Sequence, residues 1–106
     1  MTTKTYNKLV RDNIPAIIQA KGAVCETEIL PDADYLRLLD AKLDEELTEY
    51  HQDQNIEELA DLMEVIYACA KARGYAVAEL ESVRAEKAAK RGGFDRKILL
   101  KTVTEE

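Results

Sequence analysis

The sequence has few of the residues that end helices, cross-link chains or span membranes. Its 106 residues include four glycines, two prolines and two cysteines, and this scarcity of glycine and proline favours helix. Cys25 and Cys69 are too few for a disulfide framework or a cysteine-based zinc site. No apolar run approaches the roughly 18 residues that a membrane helix requires, and no signal-peptide pattern is present. We therefore expect a cytoplasmic protein with no membrane partner.

The length and net charge limit the class of protein further. A chain of 106 residues predicts one domain, 1–106, whose modest core a partner subunit would complete. The net charge of -6 argues against a protein whose main role is to coat a nucleic acid polymer.

Apolar residues recur with a helical period in four segments, and each segment has a plausible start or stop. A short first helix should end near Lys21, and a second should cover residues 33–52 after a cap at Asp32 or Asp34. Asn55 should cap a third helix, which is apolar nearly all round and so should be central or lie at a subunit interface. A fourth should end at the Gly92-Gly93 pair.

Two further segments have the pattern of short extended strands. Residues 23–30 alternate in polarity and end at Pro31, and residues 96–103 are a second extended candidate that could pair with them. The fold prediction is therefore an all-α bundle of four to five helices with, at most, a minor two-stranded element.

The acidic residues are concentrated where basic residues are absent. Between Leu43 and Ala70 there is no lysine or arginine, and His51 is the one side chain that can become positive; we expect it on the surface. The same stretch carries nine carboxylates: Asp44, Glu45, Glu46, Glu49, Asp53, Glu57, Glu58, Asp61 and Glu64.

Helical spacing selects four of these nine acids. Glu46 and Glu49 are three residues apart at the edge of the apolar face, and Glu58 and Asp61 repeat that spacing on the next helix. The very short connection predicts an antiparallel hairpin in which the two pairs face each other. Facing carboxylates repel, and the facing segments hold no lysine or arginine, so we expect a hard divalent cation, Mg²⁺ or Mn²⁺.

Solvated acids on a helix face are common and need no metal. That simpler interpretation suits Asp44, Asp53 and Glu57. Glu64 is assigned neither to the metal-binding acids nor to the solvated acids.

The arrangement of acids resembles the EExxE…ExxD signature of the all-α nucleoside triphosphate pyrophosphohydrolases, which include the MazG-like proteins and phosphoribosyl-ATP pyrophosphohydrolases. The flanking segments YNKLVRDNIPAII, residues 6–18, and KRGGFDRKILL, residues 90–100, are similar to the small MazG-like house-cleaning branch. The resemblance therefore covers most of the chain.

This resemblance implies Mg²⁺-dependent hydrolysis of a nucleoside triphosphate between its α and β phosphates. By that implication Glu46, Glu49, Glu58 and Asp61 bind the metal, and either Glu45 or Glu46 prepares the attacking water. It also implies a homodimer or a dimer of dimers.

Basic residues that are candidates for the phosphates lie outside the acidic stretch. They share helical spacing within two clusters and comprise Lys8, Arg11, Lys87, Lys90 and Arg91. An ordinary solvated charge is an equal alternative for each of them.

Three functions remain open at this point. The chain is a pyrophosphohydrolase of noncanonical or excess nucleotides, a noncatalytic sensor of Mg²⁺ and nucleotide, or a structural oligomer whose acids pair with the basic fourth helix. Phosphoribosyl-ATP is an alternative substrate, and no base preference is predicted.

Overall fold

The computed structural model describes residues 2–105 and is helical, with no strand among those residues. Its elements in chain order are α1 (Ile14–Ala20), α2 (Asp32–Asp53), α3 (Ile56–Ala72) and α4 (Val77–Arg91). The all-α prediction and its four helices are confirmed. The minor two-stranded element is not formed within these residues, because the backbones of 24–30 and 98–105 make no hydrogen bond to other backbone groups there.

The turn between α2 and α3 follows from two residues. Gln54 adopts a left-handed backbone conformation (φ 51°) and its N–H donates to the carbonyl of Tyr50 at 2.7 Å, which ends α2. The side chain of Asn55 then accepts a hydrogen bond from the Glu58 N–H at 2.9 Å, as expected for a helix cap. Two residues therefore separate the helices and force them into an antiparallel hairpin.

The start of α2 differs from the prediction. Pro31 occupies the capping position, and no side chain donates or accepts a capping hydrogen bond there. Asp32 and Asp34 lie inside the first turn instead, where their negative charge interacts favourably with the helix dipole.

The α2–α3 hairpin is the centre of the fold. Leu39 of α2 and Val65 of α3 are the buried apolar side chains among the described residues. α4 packs on α3, whereas no Cα atom of α1 lies within 8 Å of a Cα atom of another helix. α3 thus has two neighbours within the chain.

A stripe of large apolar side chains on α3 remains outside this packing. Ile56, Leu59, Met63 and Ile66 are all exposed. The radius of gyration is 18.8 Å, compared with about 13 Å for a compact chain of this length. The single chain is therefore extended. Within residues 2–105, no helix combines the length and apolar character needed to cross a membrane.

Candidate metal centre

The hairpin brings the inward-facing acids together in two groups that share one residue. Carboxylate oxygens of Glu45, Glu46 and Glu49 lie within 4.8 Å of one another. Oxygens of Glu46, Glu58 and Asp61 do the same across the two helices. Glu46 therefore connects the two predicted carboxylate pairs, and together these five residues form what we call the acid cluster.

Glu46 is the most buried member of the acid cluster. The residue is 7% exposed, and its Oε1 lies 3.4 Å from Nζ of Lys42. Its Oε2 and the Oε2 of Glu58 are buried and have no hydrogen-bond partner among the described residues. A buried, unpaired carboxylate oxygen is costly, so each of these atoms requires a proton, a water molecule or a cation that the described side chains do not provide.

The electrostatics of the cluster show the same imbalance. Burial, followed by repulsion from Glu49, raises the pKa of Glu46, and the nearby Lys42 opposes this shift. Burial also raises the pKa of Glu58, with repulsion from Glu49, Asp53 and Asp61 adding to it. The fold therefore holds two carboxyl groups in positions that disfavour their charged forms.

Two basic side chains reach the cluster from the segment that precedes α1. Nζ of Lys8 lies 2.7 Å from Oε1 of Glu45, and this hydrogen bond lowers the pKa of Glu45. A guanidinium nitrogen of Arg11 lies 2.6 Å from Oδ1 of Asp61. The same segment therefore contacts both helices of the hairpin.

These contacts correct one expectation. We expected a divalent cation to balance the acids, because the facing segments of the hairpin contain no lysine or arginine. Lys8 and Arg11 come from a distant segment, and Lys42 lies one residue before the stretch, 3.4 Å from both Glu45 and Glu46. Lys42 was missed, although its spacing of three and four residues from these acids would have identified it.

The correction is partial, because the acids outnumber these cations. The cluster has five carboxylates, and Lys8, Arg11 and Lys42 provide three positive charges. With all five carboxylates ionised the formal excess is two negative charges, and their oxygen atoms could together hold a metal cation.

The second basic cluster, at the end of α4, does not join the acids. Lys87, Lys90 and Arg91 line a shallow groove with Val83 and Glu86. Lys90 donates to Glu86 of its own helix at 3.1 Å. Among the described residues, no ion pair connects this end of α4 to the acid cluster. The predicted phosphate-binding set is therefore divided between two places.

The remaining acids of the stretch are exposed. This holds for Asp44, Asp53 and Glu57, which we expected in solvent, and also for the undecided Glu64. His51 is exposed as well. These residues lie outside both carboxylate groups.

Part of the chain is similar to a known protein. A 42-residue stretch is 50% identical to part of a Mycolicibacterium smegmatis protein described as uncharacterized. The match covers 40% of this chain and 43% of that protein. No family model and no solved structure match the chain.

Proposed function

We propose that the protein is a Mg²⁺-dependent nucleoside triphosphate pyrophosphohydrolase, which acts on noncanonical or excess nucleotides and releases the monophosphate and pyrophosphate. The observation that supports this proposal most is Glu46. The residue is 7% exposed, and its carboxylate belongs to both acidic groups and has one oxygen without a partner among the described residues. Such an oxygen suits a bound cation better than a solvated helix face.

The donor set fits the proposed cofactor. Glu46, Glu49, Glu58 and Asp61 would hold Mg²⁺, with Mn²⁺ as the alternative, through oxygen atoms alone. When bound, the metal would neutralise negative charge on the triphosphate.

Lys8 and Arg11 are the best-placed phosphate ligands. Both side chains already lie at the edge of the acid cluster, at 2.7 Å and 2.6 Å from its carboxylates. A bound cation would neutralise part of the negative charge of the acid cluster, so Glu45 and Asp61 would attract Lys8 and Arg11 less strongly. The two basic side chains could then donate hydrogen bonds to phosphate oxygens. Arg11 is especially suited, because a guanidinium group can donate two parallel hydrogen bonds to a phosphate.

Glu45 and Glu46 differ as acceptors of the proton from the attacking water. Lys8 lowers the pKa of Glu45, whereas burial raises the pKa of Glu46. A cation bound at Glu46 would favour the charged form of its carboxylate, so these two pKa directions do not decide between Glu45 and Glu46 as the base. In the proposed reaction water attacks a phosphorus atom, the bridging P–O bond between the α and β phosphates breaks, and one of these two carboxylates takes the proton of the water.

We further propose that the protein works as a homodimer or a dimer of dimers. The exposed apolar side chains of α3 recur at residues 56, 59, 63 and 66. Alternating spacings of three and four residues are typical of a helix that packs along another helix.

The test is pyrophosphate release from a panel of canonical and modified nucleoside triphosphates and phosphoribosyl-ATP, each with Mg²⁺ and with EDTA. We expect release that EDTA abolishes. Asp61→Asn should lower the rate at least about 100-fold, since even outer-shell partners of a metal typically change activity 10- to 100-fold. Glu57→Gln is the matched control, because Glu57 lies on the same helix but is exposed and outside both groups.

A different outcome would favour the sensor. Saturable binding of Mg²⁺ and nucleotide, without turnover of any compound in the panel, would contradict the proposed enzyme. Circular dichroism of each variant verifies that the helical fold persists.

A further inference from the structure

Two segments of the chain have no secondary structure and no backbone hydrogen-bond partners. Residues 24–30, between α1 and α2, and residues 98–105, after α4, take part in no backbone–backbone hydrogen bond among the described residues. The second segment follows a turn in which the Lys97 N–H donates to the Phe94 carbonyl at 3.1 Å. Both segments therefore have free backbone donors and acceptors, as the edge of a sheet does.

The side chains of both segments are of the kind that strands bury. Val24 and Ile29 are 97% and 96% exposed in the first segment. Ile98, Leu99, Leu100 and Val103 are between 70% and 79% exposed in the second. Branched aliphatic residues favour strands when a neighbouring strand covers them. Within one copy of the chain, nothing among residues 2–105 provides that cover.

The first segment is acidic, and the part of the second up to Val103, taken together with the two turn residues before it, is basic. Residues 23–30 contain Glu26 and Glu28 and no basic residue, whereas residues 96–103 contain Arg96, Lys97 and Lys101 and no acid. In an extended chain, side chains two or four residues apart lie on the same face. Glu26 and Glu28 would therefore share a face of the first segment when it is extended. Lys97 has a left-handed backbone conformation (φ 60°) at the turn, and it would share a face with Lys101 once that turn opens into a strand.

The chain also exposes more surface than a monomer of its mass normally does. Its accessible surface is 9795 Å², whereas about 6000 Å² is usual for a folded monomer of 12.0 kDa. A standard interface requires roughly 800 Å² from each partner. The excess is therefore ample for association with a second copy.

We propose that residues 96–103 of one copy pair as a β-strand with residues 23–30 of a second copy. By two-fold symmetry the second copy returns the same contact, so a closed dimer contains two such pairings. The opposite charges match an acidic strand with a basic one, and the pairing satisfies backbone groups that one chain leaves free. This inference extends the proposed homo-oligomer and does not depend on the metal or on catalysis.

Charge reversal in the full-length chain tests the exchange. One variant carries Glu26→Lys and Glu28→Lys, and the other carries Lys97→Glu and Lys101→Glu. Alone, each variant places like charges opposite each other in both pairings, so we expect dimerisation at least about tenfold weaker than that of the wild type. Mixed together, the two variants place opposite charges in both pairings, and a heterodimer of wild-type affinity should form. Sedimentation velocity and light scattering measure these affinities.

Three controls separate exchange between copies from pairing within one copy and from a general effect of charge. Asp44→Lys with Glu57→Lys makes the same change of charge at two exposed helix positions and should dimerise like the wild type. A chain with all four reversals should regain dimerisation, which shows that the substitutions permit folding. Hydrogen exchange followed by mass spectrometry should show protection of amides 24–30 and 98–103 that is lost when the oligomer dissociates.

Several results would overturn the proposal. A monomeric wild type would do so, as would a dimer in which those amides exchange freely. Rescue by the four reversals in one chain, without rescue on mixing, would show that the pairing forms within a copy. A dimer without amide protection would leave the proposed homo-oligomer standing, and pyrophosphate release is measured independently of all of these results.

Discussion

The two basic clusters of this protein look alike in sequence but differ in the fold. Lys8 and Arg11 are three residues apart, and Lys87, Lys90 and Arg91 repeat spacings of three and four residues on α4. In the structure the first cluster contacts acids that lie 37 and 50 residues away in sequence. In the second cluster, Lys90 contacts Glu86 of its own helix instead.

This difference shows what decides whether a basic residue belongs to a site. Positions on a helix determine which neighbours share a face, and the end of α4 therefore forms a local ion pair. The segment before α1 is not helical, so its path across α2 and α3 depends on tertiary contacts. Cations on that path moderate the repulsion among the acids, and under the proposed function they would be close to a phosphate bound at the metal.

The largest expected effect comes from removing the charge at the centre of the acid cluster. Glu46→Gln should abolish Mg²⁺ binding measured by calorimetry and lower pyrophosphate release at least about 100-fold, because both carboxylate groups share this residue. Glu64→Gln is the matched control, since Glu64 is exposed and belongs to neither group. Equal loss in both variants would indicate a general effect of negative charge rather than a metal centre.

The comparison of the two basic clusters can be tested directly by kinetics. Arg11→Ala should lower kcat/KM by roughly 10- to 100-fold, the range expected when one charge-assisted hydrogen bond is lost. Lys90→Ala should lower it less than about threefold, as expected for an exposed residue paired with its own helix. Similar losses of kcat/KM in the two variants would show that the end of α4 also contacts the phosphates, as the sequence predicted. The two basic clusters would then differ in the single chain but not in the active protein.

The sequence was sufficient for the helical repeat and for the cap of α3, although the cap predicted for α2 at Asp32 or Asp34 is not formed. The four helices, the cap at Asn55 and the inward positions of Glu46 and Asp61 all follow from spacings within one or two turns. The same reasoning would also have identified Lys42 as a partner of Glu46, had residues just outside the acidic stretch been considered.

Other features could not be obtained from spacing. The pairing of Lys8 with Glu45 joins a segment without secondary structure to a helix 37 residues later, and no periodic signal encodes that approach. The predicted pairing of 23–30 with 96–103 is not formed within the described part of one chain. If the proposed exchange is correct, the pattern indicated strands whose partner lies in another copy.

The same substitution, Glu46→Gln, should have a smaller effect on stability. It should stabilise the metal-free protein, although it lowers activity. The pKa of Glu46 is raised above its usual 4.5 despite Lys42, so protonation stabilises the fold below about that pH, and this contribution is lost as the pH rises through the folded-state pKa. In EDTA at pH 7, Glu46→Gln should therefore raise the Tm by a few degrees, since about 1 kcal/mol changes the Tm of a small domain by roughly 4–8 °C.

The pH and metal dependence provide the control for this stability prediction. The difference in Tm between Glu46→Gln and the wild type should shrink towards pH 4, where the wild-type carboxyl group is also protonated. Adding Mg²⁺ at pH 7 should stabilise the wild type more than the variant, because a ligand stabilises the state that binds it. A variant that is less stable than the wild type in EDTA at pH 7 would contradict the cost assigned to this buried charge.

The smallest effect should come from the ion pair at the end of α4. Both Lys90 and Glu86 are exposed, and exposed pairs four residues apart on a helix contribute about 0.3–0.5 kcal/mol. Glu86→Gln should therefore change the free energy of unfolding, measured by urea denaturation, by less than about 0.5 kcal/mol, and added salt should reduce the difference further.

Lys8→Met should destabilise the metal-free protein more than Glu86→Gln does, because Lys42 is then the one basic side chain that pairs with the half-buried Glu45 among the described residues. If Glu86→Gln proved the more destabilising of the two, the end of α4 would not be a simple solvated face, and its basic residues would need partners that a single chain does not provide.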